Sequence, residues 1–98
     1  MTATEQQRLD SIAADSWYSL GLNTRTVHYC ARVFSRFWKG RRCLEMGPAE
    51  GVMTPHLARA FPELTVVEGA ETFCRDLRQR FPQAHVVQSL FEGFEPVP

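Results

Sequence analysis

The chain has 98 residues, the length of one small domain, and its 44% hydrophobic and 22% charged residues are typical of a globular protein rather than a disordered one. Eleven basic residues balance eleven acidic ones, so the sequence predicts no long-range field that would attract nucleic acid or an anionic membrane surface. No apolar run is long enough for a transmembrane helix, and the N-terminus lacks a signal-peptide pattern; both favour a cytoplasmic location.

Two amphipathic helices are predicted in the first forty residues. The first begins with a capping-box pattern at Thr4 and ends at Gly21, where glycine takes the left-handed conformation most easily. Its apolar residues recur on one helical face: Leu9, Ile12, Ala13, Trp17 and Leu20. The second helix begins at Asn23 or Thr24 and ends at Gly40. Its apolar face is formed by Val27, Cys30, Ala31, Phe34, Phe37 and Trp38.

The rest of the chain alternates between strands and helices. The predicted strands are residues 43–46, 64–68 and 84–88. The helices between them end at Phe61 and Phe81, each followed by a proline. The first of these helices begins between Gly51 and Thr54, because Pro55 is tolerated in a first turn. A β-α-β-α-β alternation predicts an α/β fold with a three-stranded parallel sheet, since parallel neighbours need a crossover helix.

The turn after the first strand has the composition of a ligand-binding loop. Its sequence is Glu45-Met46-Gly47-Pro48-Ala49-Glu50-Gly51, in which the glycines allow the backbone to approach a ligand closely. Ligands of open parallel sheets bind beyond the carboxyl ends of the strands, where helix N-termini offer unpaired N–H groups. Glu68 ends the second strand 21 residues after Gly47, the place at which an acid commonly accepts hydrogen bonds from ribose hydroxyls. Together these features predict an adenosine-containing ligand.

The spacing of the small residues in this turn decides between classes of cofactor. A dinucleotide fingerprint would need glycines at positions 47, 49 and 52, but the last two are Ala49 and Val52, which disfavours NAD or FAD. The pattern acidic-x-Gly-x-small-x-Gly is met, and it resembles motif I of the class I S-adenosylmethionine-dependent methyltransferases. Residues 66–70 and 86–90 resemble the second motif and the third strand with its loop. The alternative that the glycines only form a tight turn stays open.

The resemblance covers residues 41–92 and implies a partial Rossmann-like fold that binds S-adenosyl-L-methionine. Residues 1–40 would be an N-terminal helical cap, and residues 41–98 the N-terminal half of the cofactor-binding domain. The implied cofactor-binding residues are Glu45, Gly47, Pro48, Ala49, Gly51, Glu68, Gly69, Ala70, Ser89 and Leu90. Glu68 would accept hydrogen bonds from both ribose hydroxyls, and Ser89 stands where the family usually has an acid. Tyr18 and Arg32 could face the cofactor from the cap, although ordinary packing is the favoured interpretation of both.

Several features of a complete methyltransferase are missing from this sequence. In the family the first strand also pairs with a fourth strand, whereas this chain stops after the third, so we expect an exposed strand edge. The chain is therefore interpreted as the N-terminal half of a longer enzyme, able to pair with a C-terminal half or another chain. The alternative is a non-catalytic module that binds a partner.

No catalytic residue is predicted, because methyl transfer depends mainly on alignment and on exclusion of water. The methyl acceptor stays unidentified.

No metal site is predicted either, since the spacing of the three histidines is not that of metal ligands. The three cysteines, Cys30, Cys43 and Cys74, are interpreted as buried small hydrophobic residues.

Overall fold

The structure is a computed structural model that describes residues 4–14 and 21–96. Its helices are α1 (Glu5–Ala14), α2 (Leu22–Phe34), α3 (Thr54–Ala60) and α4 (Glu71–Arg80). Its strands are β1 (Arg42–Met46), β2 (Glu63–Glu68) and β3 (His85–Gln88). Two short 3-10 helices cover Ser35–Phe37 and Phe91–Gly93.

The three strands form one parallel sheet in the order β1-β2-β3. The register places Glu45 beside Val66 and Val66 beside Val86, so that alternate residues of all three strands share a face. This confirms the predicted α/β fold with three parallel strands. Within the described residues β1 pairs only with β2, which leaves the other edge of β1 unpaired.

The hydrophobic core lies between one face of the sheet and helices α3 and α4. Val66 of β2 and Leu77 of α4 are completely buried there, and Leu57 of α3 packs into the same cluster. Each such side chain contributes about 1.5–3 kcal/mol through removal of its surface from water. The opposite face is less covered, since Leu44 and Met46 remain 41% and 43% exposed. The core therefore holds β2 in place, and with it the carboxyl end that carries Glu68.

Helix α2 is shorter than its sequence predicts. The predicted helix extends to Gly40, but the backbone tightens into a 3-10 helix after Phe34 and is extended at Trp38. Phe34 and Phe37 are 54% and 73% exposed, so this part of the apolar face gains no burial that would favour a continued helix. Trp38 instead packs against Phe61, with ring centroids 5.7 Å apart.

The predicted end of the first helix, including Trp17, Tyr18 and Leu20, lies outside the described residues. Among the helices that are described, none combines the length and the hydropathy needed to cross a bilayer. The cytoplasmic location stays a prediction.

Candidate functional site

The carboxyl ends of the three strands open onto a cavity of about 320 Å³. Seven of the ten predicted site residues line it: Gly47, Ala49, Glu68, Gly69, Ala70, Ser89 and Leu90. The structure brings them together with residues that were not predicted to contact a ligand: Glu5, Arg8, Leu9, Ile12, Phe73, Phe91 and Glu92. Four segments of the chain, residues 5–12, 47–49, 68–73 and 89–92, therefore meet at one end of the sheet.

The turn after β1 owes its shape to residues with positive φ. Gly47 has φ 69° and Ala49 has φ 54°, a region that side chains with a Cβ seldom occupy. The Gly47 N–H donates to the carbonyl of Val67 (2.8 Å), which continues the β1–β2 ladder by one residue. The turn thus begins as an extension of the sheet and then bends sharply toward α3.

Glu68 connects this turn to the end of β2. Its side chain is only 5% exposed, and its two carboxylate oxygens each accept one backbone hydrogen bond. Oε1 accepts from the Ala49 N–H (3.0 Å) and Oε2 from the Ala70 N–H (2.8 Å). An ionised carboxylate has about four acceptor positions, so two remain for a ligand in the cavity that Glu68 lines. The Ala49 contact also supports the strained backbone of that residue.

The other three predicted site residues shape the turn and do not line the cavity. Glu45 is buried beneath the turn, where Oε1 accepts a hydrogen bond from the Thr54 hydroxyl (2.7 Å) at the start of α3. Pro48 accepts the Gly51 N–H at its carbonyl (2.9 Å), which closes the turn. A Cβ on Gly51 would come within 2.7 Å of Leu77 Cδ2, so this glycine lets the turn approach α4.

Arg80 of α4 also holds the turn. Its guanidinium donates to the carbonyls of Glu50 (2.7 Å) and Gly51 (3.3 Å), and it pairs with Asp76 (2.8 Å) within its own helix. The turn is therefore anchored to α4 by Arg80 and to the end of β2 by Glu68.

Burial raises the pKa of Glu45, and the Thr54 hydrogen bond opposes that rise. A folded-state pKa above the unfolded value means that the folded protein binds more protons in the interval between the two. The free energy of unfolding therefore falls as pH increases through that interval. We expect Glu45→Gln, which keeps an acceptor for Thr54, to flatten this fall in urea titrations at several pH values. An unchanged pH profile would contradict burial of an ionisable Glu45.

Helix α1 closes one side of the cavity. The Leu9 side chain packs so closely on Gly69 that a Cβ at Gly69 would collide with Leu9 Cδ1. Gln6 donates to the carbonyl of Gly69, and Asp10 accepts from the Glu71 N–H (3.1 Å) at the first turn of α4. An acid at this end of a helix also interacts favourably with the helix dipole. These contacts make α1 a wall of the site.

Of the two cap residues considered from the sequence, Tyr18 lies outside the described residues. Arg32 lines a different cavity, between α2 and α3. Helix α1, rather than these two residues, lines the first cavity. The sequence feature that agrees with this contact is Gly69, because a residue without a Cβ allows another segment of the chain to pack closely against it.

Phe91 occupies the space above Gly47. The ring Cζ would be 3.0 Å from a Cβ placed on Gly47, and about half of the side chain is exposed. The only sequence signal for this contact is an aromatic residue shortly after the third strand. A ligand that passes over Gly47 must therefore lie beside this ring or displace it.

The cavity has a net negative lining. Glu5 is paired with Arg8 (2.6 Å), which leaves Glu68 and Glu92 as carboxylates without a cationic partner among the residues that line it. Apolar walls come from Leu9, Ile12 and Phe73. This combination favours a ligand with a flat apolar part, hydroxyl groups and a positive charge. No cluster of three metal-ligating side chains occurs in residues 4–14 and 21–96.

Solved structures that resemble this fold include DesVI, ErmE and CalS10. Streptomyces venezuelae DesVI matches with TM-score 0.57 and 20% identity over 74% of this chain and 31% of its own. The 23S rRNA methyltransferase ErmE matches with TM-score 0.60 and 28% identity over 76% of this chain and 31% of its own. CalS10, an amino pentose methyltransferase from Micromonospora echinaspora solved with S-adenosylmethionine bound, matches with TM-score 0.59 and 15% identity over 98% of this chain and 39% of its own.

The chain thus spans about a third of the length of the structures it matches. No family model and no curated protein matches the sequence. The structural matches confirm the predicted fold, which is part of the class I S-adenosylmethionine-dependent methyltransferase fold.

Proposed function

We propose that this chain, which has part of the class I methyltransferase fold, supplies the S-adenosylmethionine-binding part of a methyltransferase. The observation that carries the proposal is the position of Glu68. Its carboxylate lies at the carboxyl end of the central strand, lines the cavity and is held by two backbone N–H groups. This is the placement expected of an acceptor for ribose hydroxyls.

The residues around Glu68 fit the other parts of the cofactor. Ala70, Phe73 and Leu90 offer small or apolar surface on which an adenine ring would pack. The Glu68 carboxylate would complement the positive charge of the sulfonium, which supplies an already activated methyl group. Phe91 would shift from Gly47 to admit the methionine part.

The chain's own contribution to catalysis would be positioning and exclusion of water. Helix α1 covers one side of the cavity through Leu9, Gln6 and Asp10, and a bound cofactor would be screened from solvent there. Methyl transfer requires alignment of the acceptor, the methyl carbon and the leaving sulfur, with no acid or base on this side.

Calorimetric titration of the 98-residue chain with S-adenosylhomocysteine tests the proposal. We expect saturable heat at one site per chain, because Glu68 and the apolar surface proposed for adenine line one cavity of this chain. NAD is the control ligand and should give no heat, since Ala49 and Val52 replace two glycines of the dinucleotide pattern. Absence of saturable heat with S-adenosylhomocysteine, or equal binding of NAD, would contradict the proposal.

The free edge of β1 favours a second candidate function. Among the described residues β1 pairs with no strand other than β2, and the side chains of Leu44 and Met46 are partly exposed. An edge of this kind can accept a strand from a partner chain, or from a C-terminal half of the same protein. If partner binding is the whole function, the cavity carries no cofactor and the titration with S-adenosylhomocysteine gives no heat.

A further inference from the structure

A second cavity of about 430 Å³ lies between α2 and α3 and shares no lining residue with the first. Its ionisable lining groups are all basic or imidazole: Arg32 and Lys39 from the α2 side, Arg59 from α3, and the histidines His28 and His56. The chain as a whole has no net charge, so this local excess of three positive charges is a property of the cavity.

None of these cations is neutralised within the described part of the chain. The ion pairs found there involve Arg8, Arg75 and Arg80, and none reaches the second cavity. Arg32 stacks over the ring of Tyr29, with its guanidinium carbon 5.9 Å from the centroid, which leaves its donors available. Cations gathered in a cavity without acids repel one another, and a bound anion relieves that repulsion.

A chain of hydrogen bonds runs along the cavity from Arg59 through His56 to His28. The Arg59 guanidinium can only donate, so Nδ1 of His56 (3.1 Å) accepts from it. The His56 proton is then on Nε2 and is donated to Nδ1 of His28 (2.6 Å). In neutral rings this order places the His28 proton on Nε2. Both rings line the basic cavity.

The electrostatics of His56 agree with this arrangement. Burial lowers the pKa of His56, and the nearby His28 and Arg59 lower it further. No described carboxylate contributes an opposing effect at this position. The ring consequently lies in a positive potential, the environment that an anionic group would stabilise.

We propose that this cavity binds the phosphate group of a small phosphate monoester. Guanidinium groups bind phosphate oxygens through paired, charge-assisted hydrogen bonds, and a phosphate dianion matches three cations better than a carboxylate does. The Ser35 hydroxyl adds a donor, and the Trp38 and Phe61 rings give an apolar wall for the organic part of the ester. Inorganic phosphate has no organic part that could pack against these rings.

Nuclear magnetic resonance of the imidazole rings tests this site in the 98-residue chain. Phenyl phosphate is expected to shift the His28 and His56 signals and to bind more tightly than inorganic phosphate. His85 lies on β3, away from this cavity, and its signal is the internal control. If neither compound shifts His28 and His56, or if His85 shifts as much as they do, the proposal is overturned.

A pair of charge-matched variants separates a built site from general electrostatic attraction. Arg32→Gln should raise the dissociation constant of phenyl phosphate about tenfold or more, because a charge-assisted contact is lost. Arg36→Gln removes the same charge from the neighbouring 3-10 helix but does not touch the cavity, and should leave affinity nearly unchanged. Equal weakening by both variants would overturn the proposal. Tighter binding of a single-stranded oligonucleotide than of phenyl phosphate would overturn the small-molecule assignment.

Discussion

Replacing Glu68 by glutamine is expected to weaken binding of S-adenosylhomocysteine about tenfold to a hundredfold, the equivalent of losing a charge-assisted pair of hydrogen bonds. Glutamine has nearly the same volume but no charge, and its NH₂ group would face a backbone N–H where an oxygen now accepts one. The effect therefore has two parts, loss of a ribose acceptor and loss of support for Ala49. Calorimetry measures the first and urea unfolding the second.

The matched control for Glu68 is Glu92→Gln. Glu92 lines the same cavity but is exposed, so its replacement should change affinity only slightly, since the charge is screened by solvent. A Glu68→Gln chain that is folded and binds S-adenosylhomocysteine as tightly as the natural sequence would exclude Glu68 as the ribose acceptor.

The largest change in stability is expected for Gly51→Ala. Gly51 has φ 74°, and a Cβ there would come within 2.7 Å of a methyl group of Leu77, a side chain that is completely buried. Backbone strain and overpacking together should lower the free energy of unfolding by about 2–5 kcal/mol. The measurement is the urea midpoint followed by circular dichroism.

Gly40→Ala is the control that isolates the packing contribution. Gly40 has φ 82°, but a Cβ there would meet no atom within 4 Å. This variant should lose only the backbone contribution, about 1–2 kcal/mol. Equal losses in the two variants would mean that Gly51 is required for its backbone conformation alone, and that the close approach of the turn to α4 has no energetic weight.

Local patterns in the sequence were sufficient to predict the sheet. The β-branched run that became β2 and the prolines after Phe61 and Phe81 determine strand and helix limits through short-range effects. Glu68 could be placed for the same reason, since a residue at the end of a parallel strand lies at the ligand-binding edge whatever the details of packing.

Sequence patterns did not predict the structural features that depend on contacts between residues far apart in the chain. Nothing in the sequence around Gly51 indicates that Leu77 will pack against it. The end of α2 depends on what covers Phe34 and Phe37, which helical periodicity alone cannot show. The basic cavity joins His28 to His56 across 28 positions, a separation at which single-sequence patterns carry no signal.

A crystal structure of the 98-residue chain with S-adenosylhomocysteine would test the central claim most directly. We expect both ribose hydroxyls within hydrogen-bond distance of the Glu68 carboxylate, adenine next to Ala70 and Leu90, and the Phe91 ring displaced from Gly47. The claim would be contradicted if the ligand lay elsewhere on the protein, or if its ribose faced away from Glu68.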